Sequence, residues 1–293
     1  MSTSSPSVLV LGGHGFIGRH AVDSLVRAGA NVTIGSRRPR GDGPLPEQAL
    51  VLHERLSPAD WDDVVREYDV ILNSVGILRQ RFGETYDAVH HRAPGALAHA
   101  CRTHGKRLVH VSALSLSLDA RSRFITSKRR GELAIEKAGG NAAIARLSLL
   151  DGEGGYGAAW LRGVARLPLF VVPTSARGQI AALTATDAGD ALAALCLDTA
   201  LYRDDHGCDA FELGGETHYG FEAYIRGLRE RQGGGRALCI RVPGLLARLG
   251  AHLCDLFHFT PFSFGHWELL CMDNVPEPNR LRVLLKRAPQ NVL

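Results

Sequence analysis

The sequence predicts an α/β protein, a doubly wound parallel sheet with a smaller C-terminal lobe. Three observations predict it. From residue 8 to about residue 150, short apolar runs alternate with helical patterns at the spacing that parallel strands and crossover helices require. A glycine-rich turn joins the first apolar run to the first helical pattern. The 293 residues are 45% hydrophobic and include 33 glycines, which is typical of a globular α/β chain.

Six strands and three crossover helices are predicted in the N-terminal half. The strands cover residues 8–11, 31–35, 50–53, 70–74, 108–112 and 142–148. One helix follows Gly15, and two more cover residues 86–103 and 128–138, where apolar residues recur at a period near 3.6. Residues 1–150 therefore form one predicted domain, and segments near 180–200 are expected to pack back on it.

Residues 151–293 are predicted to form a smaller mixed α/β lobe that meets a substrate or a partner. The lobe contains a helical pattern at 187–197, an isolated strand at 210–213 and a leucine-rich helical run after Pro243. Its late aromatic residues either line a lipid or quinone pocket or form the core of the lobe. These residues are Phe257, Phe259, Phe262, Phe264 and Trp267.

Composition and charge argue against several classes of protein. The formal charge of +4 is small and the basic residues are spread along the chain, so nucleic acid is not an expected partner. The six cysteines form no CxxC pair and the 13 histidines no HExxH motif, so neither a disulfide nor a metal site is expected. There is no signal-peptide pattern and no run of about 20 uncharged apolar residues. A cytoplasmic location is expected, and a peripheral position at the inner face of a membrane stays open.

The glycine-rich turn has the chemistry of a phosphate-binding loop. Gly12, Gly15 and Gly18 stand between the first strand and the first helix, whose opening turn contains Phe16 and Ile17. Glycines let the backbone approach a pyrophosphate, and the free N–H groups and positive dipole of the helix N-terminus hold its charge. The position of this turn in the first βαβ unit predicts a Rossmann domain that binds a dinucleotide.

The end of the second strand indicates whether the dinucleotide is NAD(H) or NADP(H). An acid in this place, about 20 residues past the loop, accepts hydrogen bonds from the ribose of NAD. Here the chain has Ser36, Arg37 and Arg38, which suit the 2′-phosphate of NADP(H). NADP(H) is therefore predicted, and NAD(H) is the weaker alternative. The other interpretation is a solvated basic loop.

Several further motifs carry a resemblance to a known family. They are Asn73, Ser74, Val75 and Gly76 at the end of the fourth strand, Ser112 at the end of the fifth, and Lys128 in the next helix. With these motifs the chain resembles the extended and atypical short-chain dehydrogenase/reductases, which include NAD-dependent epimerases and dehydratases. Four further motifs look most like one branch of this superfamily: Val75-Gly76-Ile77-Leu78, Val89-His90, Ser127-Lys128 with Gly131-Glu132, and Met272-Asp273-Asn274-Val275. That branch holds the nucleotide-binding accessory subunit of respiratory complex I and bacterial relatives linked to quinone metabolism. The resemblance implies that Asn73 to Gly76, Ser112 and Lys128 line the cofactor.

The resemblance also identifies a missing catalytic group. Active members use a Tyr-x-x-x-Lys pair, in which the Tyr transfers the proton that accompanies hydride transfer. Here Lys128 is present, but Phe124 stands in the Tyr position, and Leu114 stands where a Ser or Thr assists. Ser115 and His90 are the candidates that could replace the lost groups, together with Lys128. The alternative interpretation of His90 is a structural histidine of the helix.

Three functions remain open from the sequence. The first is an NADP(H)-binding protein without the usual Tyr that supports quinone biosynthesis or a respiratory complex. The second is an active reductase or a sugar-nucleotide epimerase or dehydratase with a relocated acid. The third is a redox-sensing regulator. The corresponding partners are a small-molecule or quinone-like substrate and a protein complex.

Overall fold

The computed structural model describes residues 5–201, 207–257 and 262–293, without the side chain of Phe257. The predicted aromatic residue Phe259 lies outside the described residues. The strands are β1 (Ser7–Leu11), β2 (Asn31–Ser36), β3 (Glu47–Ala49), β4 (Val70–Asn73), β5 (Arg107–Ala113), β6 (Ala142–Leu147), β7 (Leu150–Asp151), β8 (Leu169–Pro173), β9 (Gln179–Ile180), β10 (Leu183–Thr184), β11 (Cys208–Leu213), β12 (Tyr219–Gly220) and β13 (Leu238–Val242). The helices are α1 (Phe16–Arg27), α2 (Asp62–Arg66), α3 (Ala93–Thr103), α4 (Arg123–Ala138), α5 (Tyr156–Arg166), α6 (Ala185–Leu197), α7 (Phe221–Arg231), α8 (Gly244–Phe257), α9 (Phe264–Leu270) and α10 (Leu281–Leu285).

The main sheet confirms the predicted fold class. Its strand order is β3-β2-β1-β4-β5-β6-β11, and every pairing is parallel. Leu11 at the end of β1 pairs with Gly35 on one side and with Asn73 on the other. The crossovers leave β1 in opposite directions at this point, so the carboxyl ends of β1, β2 and β4 border the crevice in which such sheets bind ligands.

The sheet carries hydrophobic layers on both faces. One contains α1, α6 and α10, with Val10, Leu25 and Leu192 among its buried residues. The other contains α3 and the side chains of Trp61 and Leu97. A third cluster joins α5, β8 and α7 and includes residues near the C-terminus.

Two helix boundaries differ from the prediction. The helix α4 begins at Arg123, five residues before the predicted start, because the Ser122 hydroxyl accepts a hydrogen bond from the Phe124 N–H and caps the helix. The predicted helix over 86–103 contains a π-helical turn, Asp87–Arg92, before α3. Pro94 in the first turn of α3 has no N–H to donate, so the regular α-helical ladder begins there.

Two strand predictions are also corrected. The third strand is Glu47–Ala49 and not 50–53, because the chain turns away from the sheet edge to bury Leu50 and Leu52 in the core, the latter from a 3₁₀ turn. The strand predicted as isolated at 210–213 is β11, which pairs with β6 along its whole length. Among the described residues, no helix is both long and apolar enough to cross a membrane.

Candidate functional site

The turn from β1 into α1 requires glycine at two of its positions. Gly12 has φ +76°, and its carbonyl oxygen accepts a hydrogen bond from the Gly15 N–H at 2.8 Å. A Cβ on Gly18 would lie 2.2 Å from that same oxygen. The cap residue Gly15 has no side chain to bond the N-terminus of α1, and the first turn contains no acidic residue. The start of α1 therefore keeps its donors and its dipole available for an anion.

Phe16 and Ile17 contribute their backbone to this start and their side chains to packing. Ile17 packs on the hydrophobic layer of α1 and α6. The Phe16 ring lies against Gly155, where an added Cβ would come within 2.7 Å of the ring. The ring thus anchors the loop after β7.

The end of β4 closes the other side of the loop. The Ser74 hydroxyl donates to the Leu11 carbonyl at 2.7 Å and would lie 2.8 Å from a Cβ on Gly18. A methyl group of Val75 would likewise lie close to an added side chain, 3.1 Å from a Cβ on Gly12. Asn73 is fully buried, and its side-chain oxygen accepts from the Val75 N–H at 3.1 Å. The structure thus brings together the predicted loop and the predicted end of β4.

Two polar side chains lie close to Gly76, just beyond the end of β4. The Lys128 Nζ lies 3.8 Å, and the His90 Nε2 3.9 Å, from where a Cβ of Gly76 would stand. The buried Ser112 hydroxyl at the end of β5 has no hydrogen-bond partner within the described chain. Buried polar atoms are normally paired, so this unpaired hydroxyl is available to a ligand.

Burial lowers the pKa of Lys128 to about 8, and Glu132 one turn further along α4 opposes this shift. None of the described residues accepts a hydrogen bond from its ammonium group. The group therefore carries its charge at neutral pH without a hydrogen-bond acceptor among the described residues, which leaves it available to a ligand.

Phe124 occupies the centre of an aromatic cluster above this lysine. Its ring lies 6.0 Å from the Lys128 Nζ, and the rings of Tyr86, His90 and His266 surround it at 5.7 to 6.0 Å between centroids. The cluster gives residue 124 an apolar environment in place of a proton donor. Tyr86 does not restore one, because burial raises its pKa to about 12 and its hydroxyl donates to the Leu78 carbonyl at 2.7 Å.

His90 uses both ring nitrogens within the fold. Its Nε2 accepts from the Ile77 N–H at 3.1 Å, so Nδ1 carries the proton and donates to the Ser127 hydroxyl at 2.9 Å. The Ser127 hydroxyl in turn donates to the Phe124 carbonyl at 2.9 Å. Burial and the neighbouring Lys128 hold the pKa of His90 well below its usual value. The predicted catalytic role has no free nitrogen to use in this arrangement, because the ring spans the β4 turn and α4 instead.

Ser115 is also occupied. Its φ is +62°, a left-handed conformation rarely adopted by residues with a side chain, and its hydroxyl donates to the Asp273 carbonyl. Asp273 in turn accepts from the Gln179 N–H at 2.8 Å. Ser115 therefore ties β5 to the C-terminal segment, and of the three predicted catalytic residues only Lys128 keeps a free functional group.

The predicted 2′-phosphate site contains carboxylates that the local sequence does not reveal. Arg37 Nη1 donates to Glu84 Oε1 at 2.8 Å, and Glu84 comes from the loop after β4. The Ser36 hydroxyl donates to the Arg38 carbonyl at 3.1 Å, and the Arg38 side chain is exposed. On β3, Glu47 lies 3.1 Å from His14 Nε2, without hydrogen-bond alignment. Two carboxylates from elsewhere in the chain therefore lie near the end of β2, where the local sequence has Ser36, Arg37 and Arg38 in place of an acid.

The residues present fit a dinucleotide. A cradle that admits no Cβ, an open helix N-terminus, the unpaired Ser112 hydroxyl and the free Lys128 ammonium follow one another along the carboxyl ends of β1, β4 and β5. The first two suit a pyrophosphate, and the last two suit ribose hydroxyls.

Sequence reasoning missed His266, Glu84 and Glu47. Each comes from a segment distant in sequence from the residue it meets, and none belongs to a recognisable motif. For His266 the only signal is its place in the late aromatic run, in which Phe264 and Trp267 stack at 5.5 Å and Phe262 stacks on Trp160 at 5.9 Å. Phe264 is buried, as the core interpretation of that run requires.

The model of the NAD dependent epimerase/dehydratase family matches residues 8–154. The chain belongs to this family. The match covers the glycine-rich loop, the end of β4, Ser112 and Lys128, but not His266 or Asp273, and it confirms the resemblance drawn from the motifs.

Two curated relatives extend the comparison. Ceramide reductase of Caulobacter vibrioides is 29% identical over 203 residues, which cover 67% of this chain and 63% of the relative. The mitochondrial NADH dehydrogenase (ubiquinone) 1 alpha subcomplex subunit 9 of Arabidopsis thaliana is 27% identical over 160 residues, 52% of this chain and 40% of that one. The matches thus span less than two thirds of either relative.

Solved structures support the fold at low identity. A nucleoside-diphosphate-sugar epimerase of Staphylococcus aureus aligns with a TM-score of 0.71 at 14% identity, covering 97% of both chains. MoeE5 in complex with UDP-glucose and NAD aligns with a TM-score of 0.64 at 18% identity, covering 98% of this chain and 94% of that one.

Proposed function

We propose that this protein binds NADP(H) across the ends of β1, β4 and β5, and that it is an atypical family member with little or no dehydrogenase activity. The observation that carries the second part is Phe124, which fills the place of the proton donor and is enclosed by other rings. Lys128 and Ser112 hold the ribose beside the nicotinamide, and Gly12, Gly15 and Gly18 admit the pyrophosphate. The nicotinamide, once bound, supplies or accepts a hydride.

The biological setting we propose is quinone metabolism or a respiratory complex, on the cytoplasmic side of a membrane. Similarity to a subunit of NADH dehydrogenase (ubiquinone) supports this setting, and similarity to a ceramide reductase supports a lipid-like substrate. The aromatic cluster around Phe124 suits an apolar ligand better than a sugar nucleotide, because it offers rings in place of hydroxyl-binding groups.

The preference for NADP(H) over NAD(H) rests on Ser36 and Arg38. The exposed Arg38 side chain has no partner among the described residues, so a 2′-phosphate gains a charge-assisted hydrogen bond there. Arg37 is held by Glu84 and contributes less until that ion pair opens.

Fluorescence titration with NADPH and NADH tests both the dinucleotide site and its preference for NADP(H). We expect NADPH to bind at least ~10-fold more tightly, a difference of about 1.4 kcal/mol. Arg38→Ala should remove most of this preference, Glu84→Gln should increase it by freeing Arg37, and Arg66→Ala on α2 serves as a control for overall charge. Equal affinities would refute the NADP(H) assignment, and a lack of binding by both would refute the dinucleotide site.

A second candidate function is an active reductase with a relocated proton donor, and His266 favours it. Its ring stacks on Phe124 at 5.8 Å, and its Nδ1 is 2.6 Å from the Ser263 hydroxyl. In this reaction the nicotinamide, when bound, would supply the hydride, and the His266 imidazolium would donate the proton to an oxygen of the reduced substrate. Burial lowers the pKa of His266 to about 4, so the protonated fraction grows as the pH falls toward 4.

The test is NADPH oxidation with a short-chain ubiquinone, measured between pH 5 and 8. This candidate requires turnover that rises with acidity and falls more than ~10-fold in His266→Gln with NADPH binding intact. The matched variant His99→Gln, at an exposed position of α3, should not change the rate. Absence of turnover in the wild-type protein eliminates the reductase and leaves the non-catalytic proposal.

A further inference from the structure

The helix α8 directs its leucines away from the protein. Leu245, Leu246, Leu249, Leu253 and Leu256 are between 47% and 80% exposed, whereas Ala251 is buried. At about 100° per residue, the five leucines lie within a stripe roughly 100° wide, on the side opposite Ala251. The helix therefore has the amphipathic pattern of a surface helix but in the inverted orientation, with its small residues toward the fold and its apolar stripe toward the outside.

The strand pair next to α8 has a second exposed apolar surface. In the register of β8 and β13, Leu169 pairs with Leu238 and Val171 with Ile240, and all four side chains are exposed. β13 ends at Val242 and α8 begins two residues later, so the two surfaces belong to one continuous stretch of chain. A continuous group of large apolar side chains exposed to water marks an interaction site.

The charge of this stretch is one-sided. Residues 231–257, up to the end of α8, contain four arginines, at positions 231, 236, 241 and 248, and one acidic residue, Asp255, which accepts a hydrogen bond from the Phe264 N–H. The stretch therefore has a formal charge of +3, against +4 for the whole chain. Glu222 pairs with Arg241, and Arg248 lies over the Phe264 ring, whereas Arg236 is exposed without a partner in the described part of the chain.

We propose that α8 and the outer face of β8 and β13 form a docking surface for a membrane that contains anionic phospholipids. Acyl chains accommodate the leucine stripe, and phosphate groups pair with the arginines around it, as for helices that lie in the interfacial plane. At 14 residues the helix is about 21 Å long, which is too short to span a bilayer but sufficient to lie along its surface.

A second copy of this chain is the competing occupant, and the charge disfavours it. A twofold interface places the same patch of both copies face to face, which here brings arginines against arginines. An anionic lipid surface instead supplies the opposite charge. The inference rests on the membrane-side location proposed above, but it requires neither dinucleotide binding nor catalysis.

The docking surface is attached to the candidate site. Arg79, in the loop after β4, donates to the Cys254 carbonyl near the end of α8 and to the Phe262 carbonyl, both at 2.9 Å. Arg79 Nε also lies 3.7 Å from Asp255. A Cβ on Gly265 of α9 would be 3.2 Å from the Phe124 ring, so α9 lies between α8 and the aromatic cluster.

Vesicle flotation tests the proposal with the full chain. Vesicles of phosphatidylcholine with 30% phosphatidylglycerol should bind the wild-type protein at least ~10-fold more strongly than pure phosphatidylcholine, and 0.5 M salt should weaken the binding. The triple variant Leu245→Ser, Leu249→Ser, Leu253→Ser should lose binding with an unchanged melting temperature. The variant Arg236→Glu should weaken the dependence on phosphatidylglycerol.

The double variant Leu118→Ser, Val283→Ser is the matched control, because both residues are exposed apolar side chains outside this surface. It should bind vesicles as the wild type does. Equal binding to both lipid compositions, or a stable dimer in solution that the leucine variant dissociates, would overturn the proposal. NADPH titration of the same preparations reports the dinucleotide site separately, so either proposal can fail alone.

Discussion

Among single residues, Gly18 has the least space for a side chain in the phosphate loop. A Cβ would press on the Gly12 carbonyl at 2.2 Å and on the Ser74 hydroxyl at 2.8 Å, and the carbonyl is backbone that cannot rotate away. We expect Gly18→Ala to lower the free energy of unfolding by about 1–3 kcal/mol, as overpacking does. Urea denaturation measures this change.

Gly163→Ala is the matched control. Gly163 lies within α5, and nothing stands within 4 Å of its added Cβ. Alanine should therefore stabilise the protein by roughly 0.5–1 kcal/mol through helix propensity. If Gly18→Ala were as well tolerated as Gly163→Ala, the loop would not have the tight geometry described.

A residue's role could be predicted from the sequence when its contacts are with residues close to it along the chain. Gly12, Gly15 and Gly18 meet each other and the adjoining strand end, so a local pattern identifies them. The roles of Ser115 and Arg37 depend on Asp273 and Glu84, whose approach the chain achieves only by folding. No local pattern encodes those pairs.

Among the elements, α4 is held to the sheet by a buried carboxylate. Glu132 is fully buried and accepts from Arg129 at 2.7 Å and from Arg146 of β6 at 2.9 Å. Arg146 also lies 3.5 Å from Glu212 of β11. The network therefore joins one helix to two strands.

We expect Glu132→Gln to destabilise the protein by about 3 kcal/mol, because it leaves the two arginines partly uncompensated at a desolvated site. Glu136→Gln, one turn further along the same helix and partly exposed, should cost less than about 1 kcal/mol. Chemical denaturation of both variants measures the contrast. Equal effects would mean that burial does not set the strength of this network.

The elements with the clearest periodicity were predicted best. α1 and β1 have strong patterns and a glycine between them. The start of α4 was missed because its cap, Ser122, belongs to a polar stretch that also reads as a loop, and its first turn holds Phe124 in place of a helix-favouring residue. The prediction places the third strand at 50–53 instead of Glu47–Ala49, because the buried residues Leu50 and Leu52 give the segment after this edge strand the composition of a strand.

For the whole molecule, stability should change with pH through Lys128. Its pKa is lowered to about 8 when folded and recovers to its ordinary value of 10.5 when unfolded. Between these values the unfolded state binds more protons, so stability attributable to this group increases as the pH rises from about 8 to 10.5. Below about pH 8 the cost of burying the charge is present in full.

Lys128→Met should remove this increase, and Lys137→Met, at an exposed position near the end of α4, should preserve it. Urea midpoints at pH 7 and pH 10 for the three proteins give the measurement. The decisive quantity is the difference between variants, because buried tyrosines and cysteines also titrate at high pH. An identical pH response in all three proteins would contradict the buried position of the ammonium.

The link from Arg79 to the end of α8 has a kinetic consequence. With α8 lying on a bilayer, the loop after β4 and the Phe124 cluster would be held within a few side chains of the lipid. A lipid-soluble ligand would then arrive by lateral diffusion in two dimensions rather than from bulk solution. Its apparent affinity would scale with its mole fraction in the bilayer, and dilution with inert lipid would weaken binding even at constant total concentration.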